Sequence, residues 1–375
     1  MFYWLFSDYF QSAGLGLRIA GAGVVSFLIV MAFGPRFIMF LRRQKIGDNP
    51  EFDHIELNRI TSHKSETPTM GGALIVIAMI LGILLFANLN NMYVKSGLVA
   101  VVWLLALGGV DDWLKLKAAA DKTGRDGLKS WEKFVFQVAI AVLLSVFVYR
   151  YGQYSFVGES EVYNPAHSFF MPVINRAIPL SFLTYTIIIT LVMTGSSNAV
   201  NITDGMDGLA AGCLFITGMV FLIISWIVGV ASWAEIFNLP FVPFSAEMTV
   251  VCSSMLGALL AFMWYNSYPA AVFMGDTGSL PLGGLIGYIA VITRQELVLL
   301  VAGGVFVMEI LSVIIQVGVF KMTRRSTGVG RRVFKCAPIH HHFHLCGWPE
   351  TKVVSRMWIL AIIFALISLA MLKLG

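Results

Sequence analysis

Charged residues are scarce in this chain of 375 residues: they make up 13% of it, whereas hydrophobic residues make up 58%. A soluble domain cannot bury that much apolar surface, so the composition excludes a soluble globular protein and indicates an integral membrane protein. The apolar residues form long unbroken runs, whereas the strands of a membrane barrel would be short and alternating. We therefore expect an all-α, polytopic membrane fold.

Cysteine is also scarce, with four residues and no Cys-x-x-C pair, which gives no basis for a disulfide framework. The N-terminus lacks a basic region ahead of a cleavable apolar stretch, since the first cation is Arg18, and we predict no signal peptide. No linker, low-complexity tract or internal repeat divides the chain. One transmembrane domain over residues 1–375 is the resulting expectation.

Ten segments are long and apolar enough to span a membrane, although the eighth is short and rich in glycine. They lie near 17–40, 70–87, 93–110, 132–150, 178–195, 209–230, 248–265, 279–293, 297–320 and 354–373.

The distribution of cations predicts the orientation of these spans. Segments 42–69, 111–131 and 321–353 carry most of the 26 lysines and arginines. The positive-inside rule places these segments in the cytoplasm and both termini outside. With ten spans, loops 196–208 and 266–278 fall on the same inner face. Every conspicuous polar motif then faces the cytoplasm, which predicts a cytoplasmic-face site.

The third apolar run stops at two adjacent carboxylates, Asp111 and Asp112. Low-dielectric surroundings, mutual repulsion and the dipole of a helix C-terminus would all disfavour their ionisation. A divalent metal is the simplest compensating cation, with the nearby Lys115 and Lys117 as the second possibility. The alternative is a solvated cap that only ends the helix among lipid headgroups.

Loop 196–208 contains two Asp-Gly pairs, at Asp204 and Asp207, just before a predicted helix. Helix capping would explain one aspartate. It does not explain two aspartates together with Asn198 and Asn201 between apolar flanks, so a functional role is favoured.

Loop 266–278 ends in a Gly-Asp-x-Gly-Ser turn around Asp276. Backbone N–H groups around a carboxylate at a helix start suit a phosphate that is held through a cation. Phe273 is either a core residue, the safer interpretation, or a stacking platform for a ring.

Four of the seven histidines fall within residues 340–344, between Cys336 and Cys346. Neighbouring histidines do not converge easily on one tetrahedral ion, so zinc is disfavoured. Histidines beside arginines better suit polyphosphate binding or acid–base work. The segment Lys64–Gly72 is either a helix start or part of the site. Together these motifs predict magnesium-dependent phosphoryl transfer to or from a lipid.

The motifs resemble the polyprenyl-phosphate N-acetylhexosamine-1-phosphate transferase superfamily, and within it the phospho-N-acetylmuramoyl-pentapeptide transferase family. The segments that carry the resemblance are Thr67–Gly72, Asp111-Asp112, Asn198–Gly208, Met274–Ser279 and Pro338–His342. The aspartate motifs mark the superfamily, and the Pro-Ile-His-His-His run marks the family.

The resemblance implies a reaction in which UDP-MurNAc-pentapeptide and undecaprenyl phosphate give lipid I and UMP, with Mg²⁺. It also implies a bacterial inner-membrane enzyme with periplasmic termini, surrounded by membrane lipids, with a possible homodimer and no nucleic-acid partner.

Residue roles follow from the same resemblance. Asp276 is implied as the metal ligand, and Asp111, Asp112, Asp276 and His340 as catalytic residues. The implied substrate-binding residues are Lys64 and Lys115 on phosphates, Asn198, Asp204, Asp207, Asn266 and Phe273 on the nucleotide side, and His341 and His342 completing the pocket. A one-step attack by the lipid phosphate and a two-step route through a phosphorylated aspartate both remain open.

Three residues depart from the family pattern. Glu66 replaces the usual Gly, His344 replaces a Glu, and Cys346 replaces a Lys. None belongs to the aspartate set.

Two rival functions compete with this interpretation. The first is a UDP-GlcNAc:undecaprenyl-phosphate GlcNAc-1-phosphate transferase, against which the Pro-Ile-His-His-His-Phe run argues. The second is a secondary transporter, which would have a midplane ion site and internal repeats, neither of which the sequence shows.

Overall fold

The computed structural model describes Tyr3 and residues 14–44, 67–121, 127–155, 167–174 and 176–373. Within these residues it contains thirteen α-helices, one short 3₁₀ helix (Pro172–Ile174) and one two-stranded hairpin. The helices are α1 (Gly14–Arg43), α2 (Gly72–Phe86), α3 (Met92–Asp121), α4 (Ser130–Ser155), α5 (Phe182–Thr203), α6 (Leu209–Gly229), α7 (Ala231–Ile236), α8 (Glu247–Asn266), α9 (Asp276–Ile292), α10 (Glu296–Ala302), α11 (Gly304–Thr327), α12 (Ile339–Leu345) and α13 (Glu350–Met371). The antiparallel strands β1 (Ser168–Met171) and β2 (Arg176–Pro179) lie between α4 and α5.

The apolar helices confirm the prediction of an all-α polytopic membrane protein. Eight of them are long and apolar enough to cross a membrane, and α2 and α9 are shorter apolar helices. These ten helices fall on the ten segments predicted from hydropathy. Many side chains on their outer faces are large, apolar and exposed, as expected for surfaces that contact lipid tails.

Helix α9 lies at the centre of the bundle and positions the site. All 17 of its residues are buried. It packs mainly against α5 and α3, with further contacts to α2 and α6. At the usual helical rise it is only about 25 Å long, shorter than a typical hydrocarbon core. It is short because protein, rather than lipid, surrounds it on all sides.

A buried ion pair joins the outer helices at the end of the bundle far from Asp276. The Arg18 guanidinium of α1 donates two hydrogen bonds to the Glu247 carboxylate of α8, at 2.9 and 2.7 Å. Glu247 also accepts a hydrogen bond from the backbone N–H of Asn88, at 2.9 Å. The pair thereby ties α1, α8 and the α2–α3 connection together, and loss of either charge would leave its partner buried and unpaired.

Two predicted element boundaries are wrong. Helix α3 does not end at Asp111 and Asp112 but continues to Asp121. Helix α5 continues through Thr203, so the first half of the predicted loop 196–208 is helical. In both cases the polar side chains are buried or half-buried and have hydrogen-bond or ion-pair partners inside the bundle, so they do not need a loop that would expose them to water.

The predicted ninth span, 297–320, is a broken helix rather than a single one. The break at Gly303 separates α10 from α11. Helix α11 then extends to Thr327. Arg324 and Arg325 lie in its last turn, where the helix dipole stabilises positive charge.

Candidate active site

Asp111 and Asp112 lie inside α3, one helical turn before Lys115. Both carboxylates are buried, with exposures of 0% and 3%. The Lys115 Nζ lies 2.8 Å from Asp111 Oδ2 and 3.8 Å from Asp112 Oδ1. An acid four residues before a base is a favourable helical pair. This pairing lets the helix continue past two carboxylates that would otherwise end it.

Gly108 allows α3 to approach the first residue of α9. A Cβ on Gly108 would lie 2.2 Å from the Asp276 carbonyl oxygen, so any side chain there would force the helices apart. One turn further along α3, the two helices are close enough for Asp112 to reach the start of α9.

Asp112 acts as the N-terminal cap of α9, although it belongs to another helix. Its Oδ2 accepts hydrogen bonds from the Thr277 backbone N–H, at 2.9 Å, and from the Thr277 hydroxyl. Its Oδ1 accepts a hydrogen bond from the Asp276 N–H, at 3.3 Å. The α9 sequence supplies no side-chain cap of its own. A carboxylate at a helix N-terminus is favoured by both the free N–H groups and the dipole.

Lys133 joins the two aspartate motifs. Its Nζ, on the first turn of α4, lies 2.7 Å from Asp111 Oδ2 and 2.7 Å from Asp276 Oδ2. Lys115 adds a longer contact of 3.4 Å to Asp276 Oδ2. On the other side, the Asn201 amide of α5 donates to Asp276 Oδ1 at 2.6 Å. Asp276 is thus held by residues from three other helices.

The two lysines lie nearer the surface than the carboxylates. The Lys115 side chain is 39% exposed and that of Lys133 is 19% exposed, whereas the Asp111 side chain is fully buried. A phosphate that approaches this centre would therefore meet ammonium groups before it meets carboxylates. We use the term "carboxylate–lysine centre" for Asp111, Asp112, Lys115, Lys133 and Asp276.

The carboxylates of this centre could hold a metal ion. Asp111, Asp112 and Asp276 each offer one oxygen, and these oxygens lie within 4.8 Å of one another. Oxygens on opposite sides of one Mg²⁺ lie about 4 Å apart, so a small inward shift of the side chains would suffice. When all three carboxylates are ionised, their charge exceeds that of the two ammonium groups by one. The donor set is therefore suited to a hard divalent cation.

The turn before α9 is fixed by its neighbours on both sides. Gly275 has a φ of +72°, a conformation that favours glycine, and its N–H donates to Asp204 Oδ2 at 3.0 Å. The stretch that leads into α2 pairs with Phe273, which lies in the same turn before α9. The Phe273 N–H donates to the Pro68 carbonyl at 2.8 Å, and the Gly71 N–H donates to the Phe273 carbonyl at 2.8 Å. The Thr67–Gly72 motif is thus part of this site.

Asp207 and Asn266 brace two turns against each other. Asp207 Oδ2 accepts the Ala270 N–H at 2.9 Å, and Asn266 Oδ1 accepts the Gly208 N–H at 3.0 Å. The Asp207 N–H in turn donates to Glu350 of α13 at 2.8 Å. Loops 204–208 and 266–275 therefore form one hydrogen-bonded unit beside the carboxylate–lysine centre.

Two other residues predicted on the nucleotide side have different surroundings. Asn198 lies one turn before Asn201 on α5, and its amide donates to Gln137 at 2.7 Å and to the Thr194 carbonyl at 2.8 Å. Phe273 is half-buried in the turn before Asp276. Their predicted roles toward a nucleotide remain predictions.

The three consecutive histidines of α12 face different environments. His340 is completely buried, and its Nδ1 lies 3.0 Å from Glu309 Oε2 of α11. The buried His341 ring lies beside it, with ring centroids 4.1 Å apart. His342 is half-buried, and its Nδ1 accepts a hydrogen bond from the Lys335 N–H at 3.2 Å. Because His340 is buried and Gly205 lies against its ring, a catalytic role for His340 would require the 204–208 turn to move.

The sequence assigns no role to Lys133 or Glu309, and it singles out Asn201 as part of a polar motif without assigning it a role. Lys133, Asn201 and Glu309 all contact predicted site residues but were not among the predicted site residues. A signal existed for Glu309, the single acidic residue within the predicted span 297–320. Lys64 lies outside the described residues.

Cys336 and Cys346, which flank the histidines, do not complete a zinc site. Among the described residues, the aspartate triad is the one group of three or more acidic, histidine or cysteine ligands close enough to share an ion. Cys346 is exposed and Cys336 is half-buried, and burial raises the pKa of the Cys336 thiol.

The fold and the site define a class of protein: a polytopic membrane protein with a buried carboxylate–lysine centre suited to a metal and to phosphates. Comparison with known proteins gives the family. The model of glycosyl transferase family 4 matches residues 94–294, more than half of the chain. The chain belongs to this family.

Three relatives match nearly the full length of the chain. They come from Oleidesulfovibrio alaskensis (41% identical, covering 95% of this chain and 93% of the relative), Desulforapulum autotrophicum (42%, 95% and 93%) and Desulfotalea psychrophila (39%, 96% and 93%). Each is named phospho-N-acetylmuramoyl-pentapeptide-transferase. Within glycosyl transferase family 4, the chain belongs to the family of these transferases.

Proposed function

We propose that this protein transfers phospho-MurNAc-pentapeptide from UDP-MurNAc-pentapeptide to undecaprenyl phosphate, with lipid I and UMP as products. A phosphate oxygen of the lipid forms a new bond to the β-phosphorus of the donor. The bond from that phosphorus to the oxygen shared with the α-phosphorus breaks, and UMP leaves with this oxygen and its electron pair. In this one-step form no other reactant is consumed.

The observation that carries the proposal is the identity of about 40% over nearly the whole chain with three relatives that share this activity in their names. The site supports it independently. A protein that acts on a lipid phosphate needs cations that this phosphate can reach, and the partly exposed side chains of Lys115 and Lys133 lie nearer the surface than the carboxylates do.

The lysines and carboxylates of the centre have complementary tasks in this reaction. Lys115 and Lys133 would contact the phosphates of donor and acceptor and reduce the repulsion between them. Asp111 keeps both ammonium groups in place, through contacts of 2.8 and 2.7 Å. Asp112 fixes the start of α9, and therefore the position of Asp276, through its hydrogen bonds to Thr277.

Asp276, with Asp111 and Asp112, would hold Mg²⁺ in this proposal. When bound, the metal would neutralise charge that develops on the phosphate oxygens and on the departing UMP. Asn201 would keep the Asp276 carboxylate oriented toward it, because its amide already donates to Asp276 Oδ1.

The proposal includes an inner-membrane location with the site on the cytoplasmic side. Its support is the excess of lysine and arginine in the segments on the side of the site. The homodimer implied by the resemblance stays a prediction.

The test is to identify the product with two donors. The purified protein is given undecaprenyl phosphate and either UDP-MurNAc-pentapeptide or UDP-GlcNAc, each labelled in the sugar, and the lipid fraction is analysed by chromatography and mass spectrometry. We expect lipid-linked label with the first donor alone. Lipid-linked label with UDP-GlcNAc alone would contradict the proposal and support the sister activity.

A further inference from the structure

Glu309 is a fully buried carboxylate on the second turn of α11, a helix long and apolar enough to span a membrane. Removing an ionised carboxylate from water is costly unless hydrogen bonds or charges compensate it. For this reason, ionisable residues inside membrane helices are rare and usually functional. Neither the aspartate motifs nor the proposed transfer step accounts for Glu309.

The partner of Glu309 is His340. Glu309 Oε2 lies 3.0 Å from His340 Nδ1, and both side chains are 0% exposed. Between Glu309 and His340 the chain completes α11, which ends at Thr327, and then forms the basic segment 328–338. The contact therefore joins α11 to the Pro-Ile-His-His-His motif across that segment.

This contact fixes the orientation of the imidazole ring. With Nδ1 directed at the carboxylate, the opposite edge of the ring faces Gly205. A Cβ on Gly205 would lie 2.5 Å from His340 Nε2 and 3.1 Å from its Cε1. Only glycine leaves room for the ring at this distance. His340 Nε2 is buried and has no hydrogen-bond partner among the described residues.

Gly205 lies in the turn that contacts the residue before Asp276, the proposed metal ligand. The preceding residue, Asp204, accepts the Gly275 N–H at 3.0 Å, and Gly275 immediately precedes Asp276. Gly205 itself is exposed, so His340 Nε2 lies just beneath the surface of the site. A shift of the imidazole ring would therefore displace the 204–208 turn and, through it, the residue that precedes Asp276.

We infer that Glu309 is a positioning residue, which fixes the His340 ring against Gly205 and thereby places the Asp204 turn and Asp276 for the transfer step. Its activity readout depends on the proposed function, whereas the contact itself can be tested without turnover. A carboxylate behind a histidine sets the orientation and tautomer of the ring in many sites.

The first test is a double-mutant cycle on initial rates of UMP release. Glu309→Gln keeps the shape of the side chain and removes its charge. We expect kcat to fall by about tenfold or more, with the donor KM unchanged within about twofold, because the pair acts on the reacting geometry rather than on donor binding. In a His340→Ala background, the same substitution should change kcat by less than about twofold. An equal fall in both backgrounds, or no fall in the wild type, would overturn the inference.

Glu247→Gln is the matched control. It also removes one carboxylate from a buried, hydrogen-bonded pair, but at the end of the bundle far from Asp276. We expect it to lower thermal stability and to leave kcat per folded molecule within about twofold of the wild type. A fall in kcat as large as that of Glu309→Gln would assign the effect to general loss of stability and overturn the inference.

A measurement without turnover completes the test. The ring nitrogens of ¹⁵N-histidine-labelled protein are observed by NMR, and the His340 signals are identified by their loss in His340→Ala. We expect Glu309→Gln to shift both His340 ring nitrogens, and unchanged signals would overturn the inference. This result decides the matter if His340→Ala has no measurable turnover. It also separates the two failures: a wild type that transfers neither donor would refute the proposed function and leave the pair testable.

Discussion

At the scale of single residues, the site depends on oppositely charged side chains that are far apart in the sequence. Lys133 contacts Asp111 and Asp276, which belong to two other helices. Because all three carboxylates of the centre are buried, each needs a cation or hydrogen-bond donors. Loss of one member should therefore affect the others.

Asp276→Asn should lower turnover by about 100-fold or more, because it removes the carboxylate that we propose as a magnesium ligand. The measurement is the initial rate of UMP release across a titration of Mg²⁺. Glu235→Gln, at an exposed position in α7, is the control and should leave the rate unchanged. Near-normal turnover of Asp276→Asn at saturating Mg²⁺ would contradict the assignment.

Lys133→Met should lower both the rate of UMP release and the melting temperature, because Asp111 and Asp276 lose a shared counter-charge. Added Mg²⁺ should raise the melting temperature of this variant by more than it raises that of the wild type, since a dication can take the place of the ammonium group. Thermal unfolding followed by tryptophan fluorescence measures this, with Lys129→Met, an exposed neighbour, as control. Equal shifts in variant and wild type would argue against a metal between these carboxylates.

Residue types and spacing predicted the aspartates but not Lys133. Asp111, Asp112 and Asp276 belong to polar motifs that stand out in an apolar sequence, so the sequence could assign all three to one site. Lys133 lies between Trp131 and Phe134 in the first turn of a span, a pattern typical of a lysine at the membrane interface. Its partner Asp276 is 143 positions away, and no local pattern reports such a contact.

At the scale of helices, the close approach of α3 to α9 builds the site. Gly108 permits this approach, while Gly109, the next residue, faces a more open space. A Cβ on Gly108 would lie 2.2 Å from the Asp276 backbone, whereas one on Gly109 would lie 3.8 Å from the Thr277 side chain.

Gly108→Ala should therefore destabilise the fold by about 1–3 kcal/mol and lower turnover by about tenfold, because α3 must move away from α9. Gly109→Ala adds the same methyl group to the same helix and should be near neutral. Melting temperatures and initial rates of both variants give the comparison. Equal effects of the two substitutions would show that the spacing of α3 and α9 does not limit the site.

The positions of the ten apolar helices could be predicted from hydropathy, but their ends could not. Asp111 and Asp112 suggest the end of an apolar run, and the helix continues because Lys115 and Lys133 compensate them. The polar residues of segment 196–208 predict a loop. Its first half is instead the end of α5, with Ser197 and Asn201 hydrogen-bonded to α9. Polarity inside a bundle therefore indicated partners rather than loops.

At the scale of the whole molecule, the proposed orientation places the histidine helix α12 in the cytoplasm and α7 outside. The native cysteines allow a direct test. Cys213 and Cys252 are buried, whereas Cys346 is exposed. Cys336 is half-buried with a raised thiol pKa, which slows its reaction with a maleimide.

A membrane-impermeant maleimide should leave Cys346 unmodified in intact spheroplasts and label it after the membrane is permeabilised. The control is Ser232→Cys, at an exposed position of α7, in a Cys346→Ser background. It should be labelled without permeabilisation. Mass spectrometry of the tryptic peptides locates the label. Labelling of Cys346 from outside would reverse the predicted topology and contradict the cytoplasmic site.

We propose that the buried carboxylate–lysine centre performs metal-dependent transfer between a nucleotide-linked and a lipid-linked phosphate. The most direct measurement is UMP release by the purified protein given undecaprenyl phosphate and UDP-MurNAc-pentapeptide, with Mg²⁺ and with the metal chelated. We expect release that depends on both the lipid acceptor and Mg²⁺. Undiminished release without the metal, or release without the lipid, would contradict this account of the site.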